Sequence, residues 1–256
     1  MRDHYYQKHC GKIMTKILII HLGTPCECLI ATSLMKDKSF SNSSFEWIVR
    51  HRDTIQMLKY NNKIKHVHLY PKLSNTIFTQ HFDCVINFHP DFNPLCCPTF
   101  NSTKTTGFHY SEGTNEWKEI LYGHTVSNKS IFQIYYRLAD LKWKGQGYDI
   151  LYRPKSKTKK KTSGLAIANA NLRHYIIGEL ALDQSKLWYI PHKKYVFAKM
   201  DEINKCPHVI TDDFLTLNLA LCLRKNVYFL ETIPFNTRLE LFGSGKIFRV
   251  PKNIIQ

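Results

Sequence analysis

Beside its eight cysteines, at positions 10, 26, 28, 84, 96, 97, 206 and 222, the sequence has no C-x-x-C pair and no histidines at finger spacing. That removes the usual zinc-finger and thioredoxin-type readings. Cys84 and Cys222 fall inside apolar segments, where a reduced thiol behaves as a small hydrophobe. No apolar run approaches the roughly 18–20 residues that span a bilayer, and the opening MRDHYYQKHCGK lacks the continuous apolar region of a secretory signal. A soluble cytoplasmic protein is expected. Acidic residues are scarce: 20 Asp+Glu against 36 Lys+Arg give a formal net charge of +16. Such a balance calls for an anionic partner without choosing among nucleic acid, an acidic membrane face and phosphorylated small molecules. There is no repeat of solenoid length. FGSGKIF lacks the first glycine of a phosphate loop, because Glu240 occupies its place, and reads as a turn before a last strand. The 14 Tyr and 15 Phe show no basic-aromatic register for stacking single strands, so core packing explains them better.

A chain of 256 residues can form one large or two small domains, and two are preferred here. KILIIH, FEWIV, KHVHLY, CVINFH and a shorter KTTGF read as strands, with helices predicted from Glu27 to Met35, near DTIQMLKY and near LSNTIFTQ. In SIFQIYYRLADLKW, residues Ile131, Ile134, Tyr135, Leu138 and Leu141 share one helical face. KGQGYDILYRPKSKTKKKTSG then interrupts all apolar periodicity. A solvated connector is the commoner meaning of its lysine run, with nucleic acid or anionic lipid as alternative partners. Alternation resumes with strands at GLAIAN, KLWYI, HVIT, VYFL and KIFRV and helices near HYIIGELAL, VFAKMDEINK and LTLNLALCL. Such β/α alternation predicts parallel sheets with right-handed crossovers. The expected organisation is an amino-terminal domain over 1–145, a basic linker over 146–163 and a carboxy-terminal domain over 164–256.

Ligands of open α/β sheets gather beyond the carboxyl ends of the strands. The first strand stops at His21-Leu22-Gly23, where Gly23 permits backbone geometry that other residues resist, and the next helix offers unpaired N–H groups near Glu27. On residue type alone, a first-turn glutamate favoured by the helix dipole is the simpler account of Glu27. A wider pattern changes the weighing. Leu22-Gly23, Cys26-Glu27, Ala31-Thr32-Ser33-Leu34, Trp47-Ile48-Val49, Asn62-Lys63-Ile64-Lys65-His66-Val67 and Phe82-Asp83-Cys84-Val85-Ile86-Asn87-Phe88 follow in a characteristic order and spacing. Over this stretch the chain resembles the ADP-heptose:lipopolysaccharide heptosyltransferases, glycosyltransferase family 9.

The resemblance implies an α/β, GT-B-like architecture: two Rossmann-like domains facing across a cleft, the acceptor held mainly by the first and the nucleotide sugar mainly by the second. It implies that Glu27, standing where the family has Asp, is the general base, with Gly23 and Thr24 in the cleft loop on the acceptor side. In the second half, GLAIANANLRHYIIGEL stands where the first donor-side unit belongs and puts Asn171 and Arg173 in the donor-binding loop. A cation at 173 would clamp a diphosphate; an exposed arginine near a helix start is the equal alternative. HVITDDFLTLNLALCL resembles the last donor-side unit and carries Thr211 and Asp213. Three departures mark this half. Phe214 and Leu215 replace a small residue and a glycine that let backbone N–H groups approach phosphate, Asn218 replaces a histidine, and one βα unit is missing. A reduced second domain is expected.

Two functions follow. The first is an inverting glycosyltransferase that moves a heptose-like sugar from a nucleotide-diphosphate donor, ADP-heptose-like, to a lipopolysaccharide-type or other glycan or lipid-linked acceptor. It needs no metal or cofactor, and its charge would also suit peripheral contact with an anionic membrane face. The second is a catalytically degenerate relative that binds or scaffolds. A specific nucleic-acid partner is not expected.

Overall fold

The computed structural model describes residues 15–93, 99–150, 152, 163–166, 172, 178, 187–189, 196–232, 235–242 and 245–250. In chain order the first half gives β1 (Thr15–His21), α1 (Pro25–Ala31), β2 (Ser43–Val49), α2 (Arg52–Leu58), β3 (Ile64–Leu69), α3 (Thr76–Thr79), β4 (His81–Asn87), β5 (Asn101–Gly107), α4 (Thr114–Tyr122) and α5 (Ile131–Leu138). The second gives β6 (Ser163–Ala166), β7 (Leu187–Tyr189), α6 (Val196–Asn204), β8 (His208–Thr211), α7 (Phe214–Cys222), β9 (Asn226–Glu231) and β10 (Gly245–Arg249).

β1 is the middle strand of the first sheet. Its β-branched and leucine residues alternate faces, and both faces are covered: Ile17 and Ile19 enter one core cluster, Leu18 and Ile20 the other, all fully buried. The strand order is β3-β2-β1-β4-β5, parallel throughout. The chain therefore winds one way from β1 and the other way from β4, leaving a switch point between their carboxyl ends. The second sheet is also parallel, ordered β10-β9-β8-β6-β7. In its own chain order that is 2-1-3-4-5, so the second sheet has as many strands as the first, with one strand rather than two on one side of its first strand and three rather than two on the other. Its switch point lies between β6 and β8. One core cluster runs without interruption from Ile19 and Leu29 under the first sheet to Val209, Leu219 and Phe229 of the second.

Several local features depart from the sequence reading. The helix predicted to reach Met35 is α-helical only to Ala31, then tightens into a 3₁₀ turn over Thr32–Lys36, where the Thr32 hydroxyl donates to the Leu29 carbonyl at 2.6 Å. Helix α4 was not foreseen, although Trp117, Ile120 and Leu121 recur at helical spacing and pack on the core; Gly113, at φ 72°, starts it. The described start of the expected linker is packed rather than loose. Gln146 Nε2 donates to Asp37 at 3.0 Å, the Asp149 N–H donates to the Thr32 hydroxyl at 3.0 Å, and Asn61 Nδ2 donates to the Asp149 carbonyl at 2.8 Å. The lysine run itself lies outside the described residues. Among the described residues no helix is long and apolar enough to cross a membrane.

Glu46 of β2 is buried and meets Lys16 at 2.9 Å, His68 at 2.9 Å and Gln80 Nε2 at 3.0 Å. Burial alone would raise its pKa, but the hydrogen bonds from His68, Lys16 and Gln80 outweigh burial and bring the carboxyl from 4.5 down to about 2. Because the folded pKa is the lower one, this stabilisation is fully present above pH 4.5 and fades as pH falls towards 2. Glu46→Gln is expected to cost on the order of 2 kcal/mol at neutral pH, Lys16 being partly exposed, and to flatten that acid limb. Urea denaturation at a series of pH values checks both; an unchanged limb would show that the ion cluster carries no stability.

Candidate active site

The site begins at the turn after β1. Thr24 is the N-cap of α1 and Pro25 occupies the first turn, where its missing N–H costs nothing. The Thr24 hydroxyl accepts from the Glu27 N–H at 3.3 Å, while Glu27 Oε2 accepts from the Thr24 N–H at 2.6 Å and the Thr24 hydroxyl at 2.7 Å. This is a reciprocal capping box. It fixes the half-buried Glu27 carboxylate through Oε2, and among the described residues Oε1 accepts no hydrogen bond. Thr24-x-x-Glu27 was legible in the sequence as that motif and was not used there.

Gly23 is needed for a different reason from the one the sequence suggested. Its φ is not positive, unlike those of Gly107, Gly113 and Gly145. What it provides is space: a Cβ at position 23 would lie 2.6 Å from Glu27 Oε2 and 2.8 Å from His21 Cε1. His21 is fully buried, and burial first, with His89 second, lowers its pKa from 6.5 to about 3. The neutral ring accepts from the Gly23 N–H through Nδ1 at 3.2 Å, so Nε2 carries the proton and donates to the Tyr135 hydroxyl at 3.0 Å. The turn is thus held from below by a histidine to which the sequence reading gave no role.

On the opposite side, Asp213 caps α7. Its Oδ2 accepts from the Thr216 N–H at 2.9 Å, from the Thr216 hydroxyl, and from Lys199 Nζ at 3.0 Å. Burial pushes its pKa up, but Thr216 and the Lys199 ammonium more than offset this and the net is below the ordinary value. Lys199→Met would leave this carboxylate without its cation and is expected to cost about 2–3 kcal/mol, read as a lower urea midpoint. No change in midpoint would mean the pair is solvent-compensated. Thr211 is buried, and its hydroxyl accepts the Asp213 N–H at 3.0 Å, so it shapes the turn.

Between these turns lies a cavity of about 600 Å³. Thr24 and Glu27 of α1, Ile120 and Leu121 of α4 and Ile131 of α5 line its first-sheet side. Asp212 and Phe214 after β8, Phe229 of β9 and Thr232, Phe235, Asn236 and Thr237 beyond β9 line the other. The carboxylate facing it from the second sheet is therefore Asp212, one residue before the predicted Asp213. Asn171 and Arg173 lie outside the described residues. The α4 wall and the loop after β9 were not foreseen. The latter sits beyond a strand's carboxyl end, the one rule that could have found it.

The two sides are tied together around the cavity. Asn218 Nδ2 donates to Cys26 Sγ at 3.2 Å and to the Phe214 carbonyl at 2.7 Å, and its Oδ1 accepts from the Tyr148 hydroxyl. Asn236 Nδ2 donates to the Gly123 carbonyl at 2.8 Å, and the Ser127 N–H donates to the Asn236 carbonyl at 2.7 Å.

Several solved structures share this fold. The E. coli heptosyltransferase WaaC with ADP-2-deoxy-2-fluoro heptose superposes with a TM-score of 0.63 at 10% identity, over 93% of this chain and 94% of that one. For the E. coli ADP-heptose lps heptosyltransferase II the score is 0.61 at 11% identity, over 93% and 91%. For the glycosyl transferase family 9 protein from Veillonella parvula it is 0.59 at 13% identity, over 91% and 85%. At these identities the likeness is one of fold, and the chain has the GT-B-like α/β architecture of those enzymes. No family model and no curated protein matches the sequence.

Proposed function

We propose that this chain is an inverting glycosyltransferase that moves a sugar from a nucleotide-diphosphate donor of the ADP-heptose kind to a hydroxyl of a glycan or lipid-linked acceptor. The observation that carries the reading is Glu27: a carboxylate fixed at the switch point of the first sheet, facing the second sheet across a cavity, in a fold shared with heptosyltransferases. In the step envisaged, the acceptor oxygen attacks the anomeric carbon and its proton passes to Glu27 Oε1. The bond from that carbon to the diphosphate oxygen breaks, and the nucleotide diphosphate leaves with the electron pair. Residues 1–145 would form the acceptor-side lobe, with Gly23 and Thr24 in its cleft loop, and 164–256 the donor-side lobe. Arg173 and Asn171 are proposed for the diphosphate, and Thr211 and Asp213 as positioning residues beneath the loop that carries Asp212 and Phe214.

The test is incubation of the purified protein with ADP-, GDP- and UDP-sugars and glycan acceptors, following nucleoside diphosphate release and the anomeric configuration of the product. Acceptor-dependent release with inversion is expected. Retention of configuration, or no release from any donor, contradicts the proposal. One observation favours a second reading, a silent sugar-binding protein: Asn218, where the family carries histidine, is used up in joining α7 to α1 and Tyr148. That reading predicts glycan binding without saturable binding of any nucleotide sugar by calorimetry.

A further inference from the structure

The cavity has a chemical character that the overall charge of the chain conceals. Despite a formal net charge of +16, no Lys, Arg or His occurs among its described lining residues. Of the described cations on the elements around it, Lys118 of α4 and Arg137 of α5 are exposed to solvent and are not among its lining residues, and three others are engaged elsewhere. Lys199 pairs with Asp213 at 3.0 Å, Lys129 stands 4.3 Å over the Trp117 ring, and Arg238 is hydrogen-bonded to Glu240. The second-sheet wall is aromatic: the ring centroids of Phe214 and Phe235 are 4.8 Å apart and those of Phe229 and Phe235 5.7 Å. Around that wall stand groups that exchange hydrogen bonds with hydroxyls, the Glu27 carboxylate and the side chains of Thr232, Asn236 and Thr237.

We infer that the ring this cavity presents to Glu27 is an uncharged sugar, lying with its C–H face on the phenylalanine wall and its hydroxyls towards Glu27, Asn236 and the threonines. The description of that ring as the acceptor rests on the transferase reading above, with the ring reaching from Glu27 of the acceptor-side lobe across the cleft onto the wall of the donor-side lobe. A pyranose without charged substituents is amphipathic in the same sense as the cavity: one face apolar, the rim all donors and acceptors. The volume lies within the roughly 300–1,000 Å³ of small-molecule sites. A phosphorylated or carboxylated sugar would bring a further negative charge into a cavity already lined by the Glu27 and Asp212 carboxyl groups, with no cation on the described wall to offset it, and desolvating such an unpaired charge is costly. Among the described lining residues no cation would pair with the donor's phosphates, which the reading above assigns to Arg173 and Asn171.

The test uses the full-length protein, with methyl glucopyranoside and methyl mannopyranoside as neutral probes and glucose 6-phosphate and glucuronic acid as anionic ones, bound in separate titrations followed by ligand-observed NMR. The neutral probes are expected to bind and to compete with one another, and the anionic ones to bind about tenfold more weakly or worse. Phe235→Ala is expected to weaken the neutral probes about tenfold. Thr237→Lys, which adds a cation at the rim without emptying the wall, is expected to bring the anionic probes level or ahead. Equal or tighter binding of the anionic probes to the unaltered protein, or no binding of the neutral ones, overturns the inference. The transferase reading fails separately. If no donor is ever turned over while methyl glycosides still saturate the cavity, the neutral subsite stands and the enzymatic reading falls; efficient transfer to an acidic or phosphorylated ring does the reverse.

Discussion

Replacing Glu27 by Gln is expected to lower the turnover of sugar transfer by about 10²- to 10⁴-fold, the range lost when a positioned general base is removed, while leaving the melting temperature almost unchanged. The two halves of this expectation come from the two roles of one side chain. At the third position of a helix, Gln supports a capping box nearly as well as Glu, because its amide oxygen still accepts from the Thr24 N–H. It cannot accept a proton. Glu27→Ala therefore separates the roles: it loses transfer as Gln does and in addition about 1 kcal/mol of helix capping. Thr24→Val leaves the carboxylate in place but removes the hydroxyl that holds Oε2 at 2.7 Å, so it lowers turnover less than Glu27→Gln while destabilising more. If Glu27→Gln and the unaltered protein transfer sugar at the same rate, Glu27 is a helix cap and nothing more.

Gly107→Ala is expected to cost about 3 kcal/mol or more, which for a chain of this size lowers the melting temperature by roughly 6–12 °C. Gly107 closes β5 at φ 92°, and a Cβ there would lie 2.0 Å from the Asn87 carbonyl oxygen and 2.8 Å from its carbon. Those atoms are main chain. Asn87 and Gly107 are paired across the ladder, and the Asn87 side chain is itself committed, with Nδ2 donating to the Phe92 carbonyl at 3.0 Å and the Phe108 carbonyl at 2.9 Å. Neither strand can yield without breaking that network. Gly145→Ala is the control: its φ is 87°, but nothing lies within 4 Å of the added carbon, so backbone strain alone, about 1 kcal/mol, is expected. Equal effects at the two positions would show that collision with Asn87 is not the cause.

The sheets were the most legible part of the sequence. Runs such as KILIIH and HVIT have unbroken apolar centres because parallel strands bury both faces, and all ten strands overlap the predicted runs. The prominence of the turn after the first strand also followed, from the rule that ligands of open α/β sheets gather beyond the strands' carboxyl ends; the strand order that makes it a switch point came from the structure. What stayed hidden depends on pairings distant in sequence. Cys26 with Asn218, His21 with Tyr135 and Lys199 with Asp213 join residues whose spacing carries no periodic signal. Helix α4 was legible and passed over: Trp117, Ile120 and Leu121 recur at i, i+3 and i+4, a short stripe between two stretches of polar residues. The choice between Asp212 and Asp213 could not be made from the string, since adjacent carboxylates diverge only once the turn assigns one to the cap and the other to the cavity.

The most direct test is a crystal structure of the protein with a nucleotide-diphosphate sugar and a methyl glycoside bound together. The account predicts the glycoside between Glu27 and the Phe214–Phe235 wall, one hydroxyl within about 3 Å of Glu27 Oε1 and the donor's anomeric carbon on that hydroxyl's far side. A donor held elsewhere, or a nucleotide whose phosphates fill the aromatic cavity and leave Glu27 facing no sugar, would contradict it.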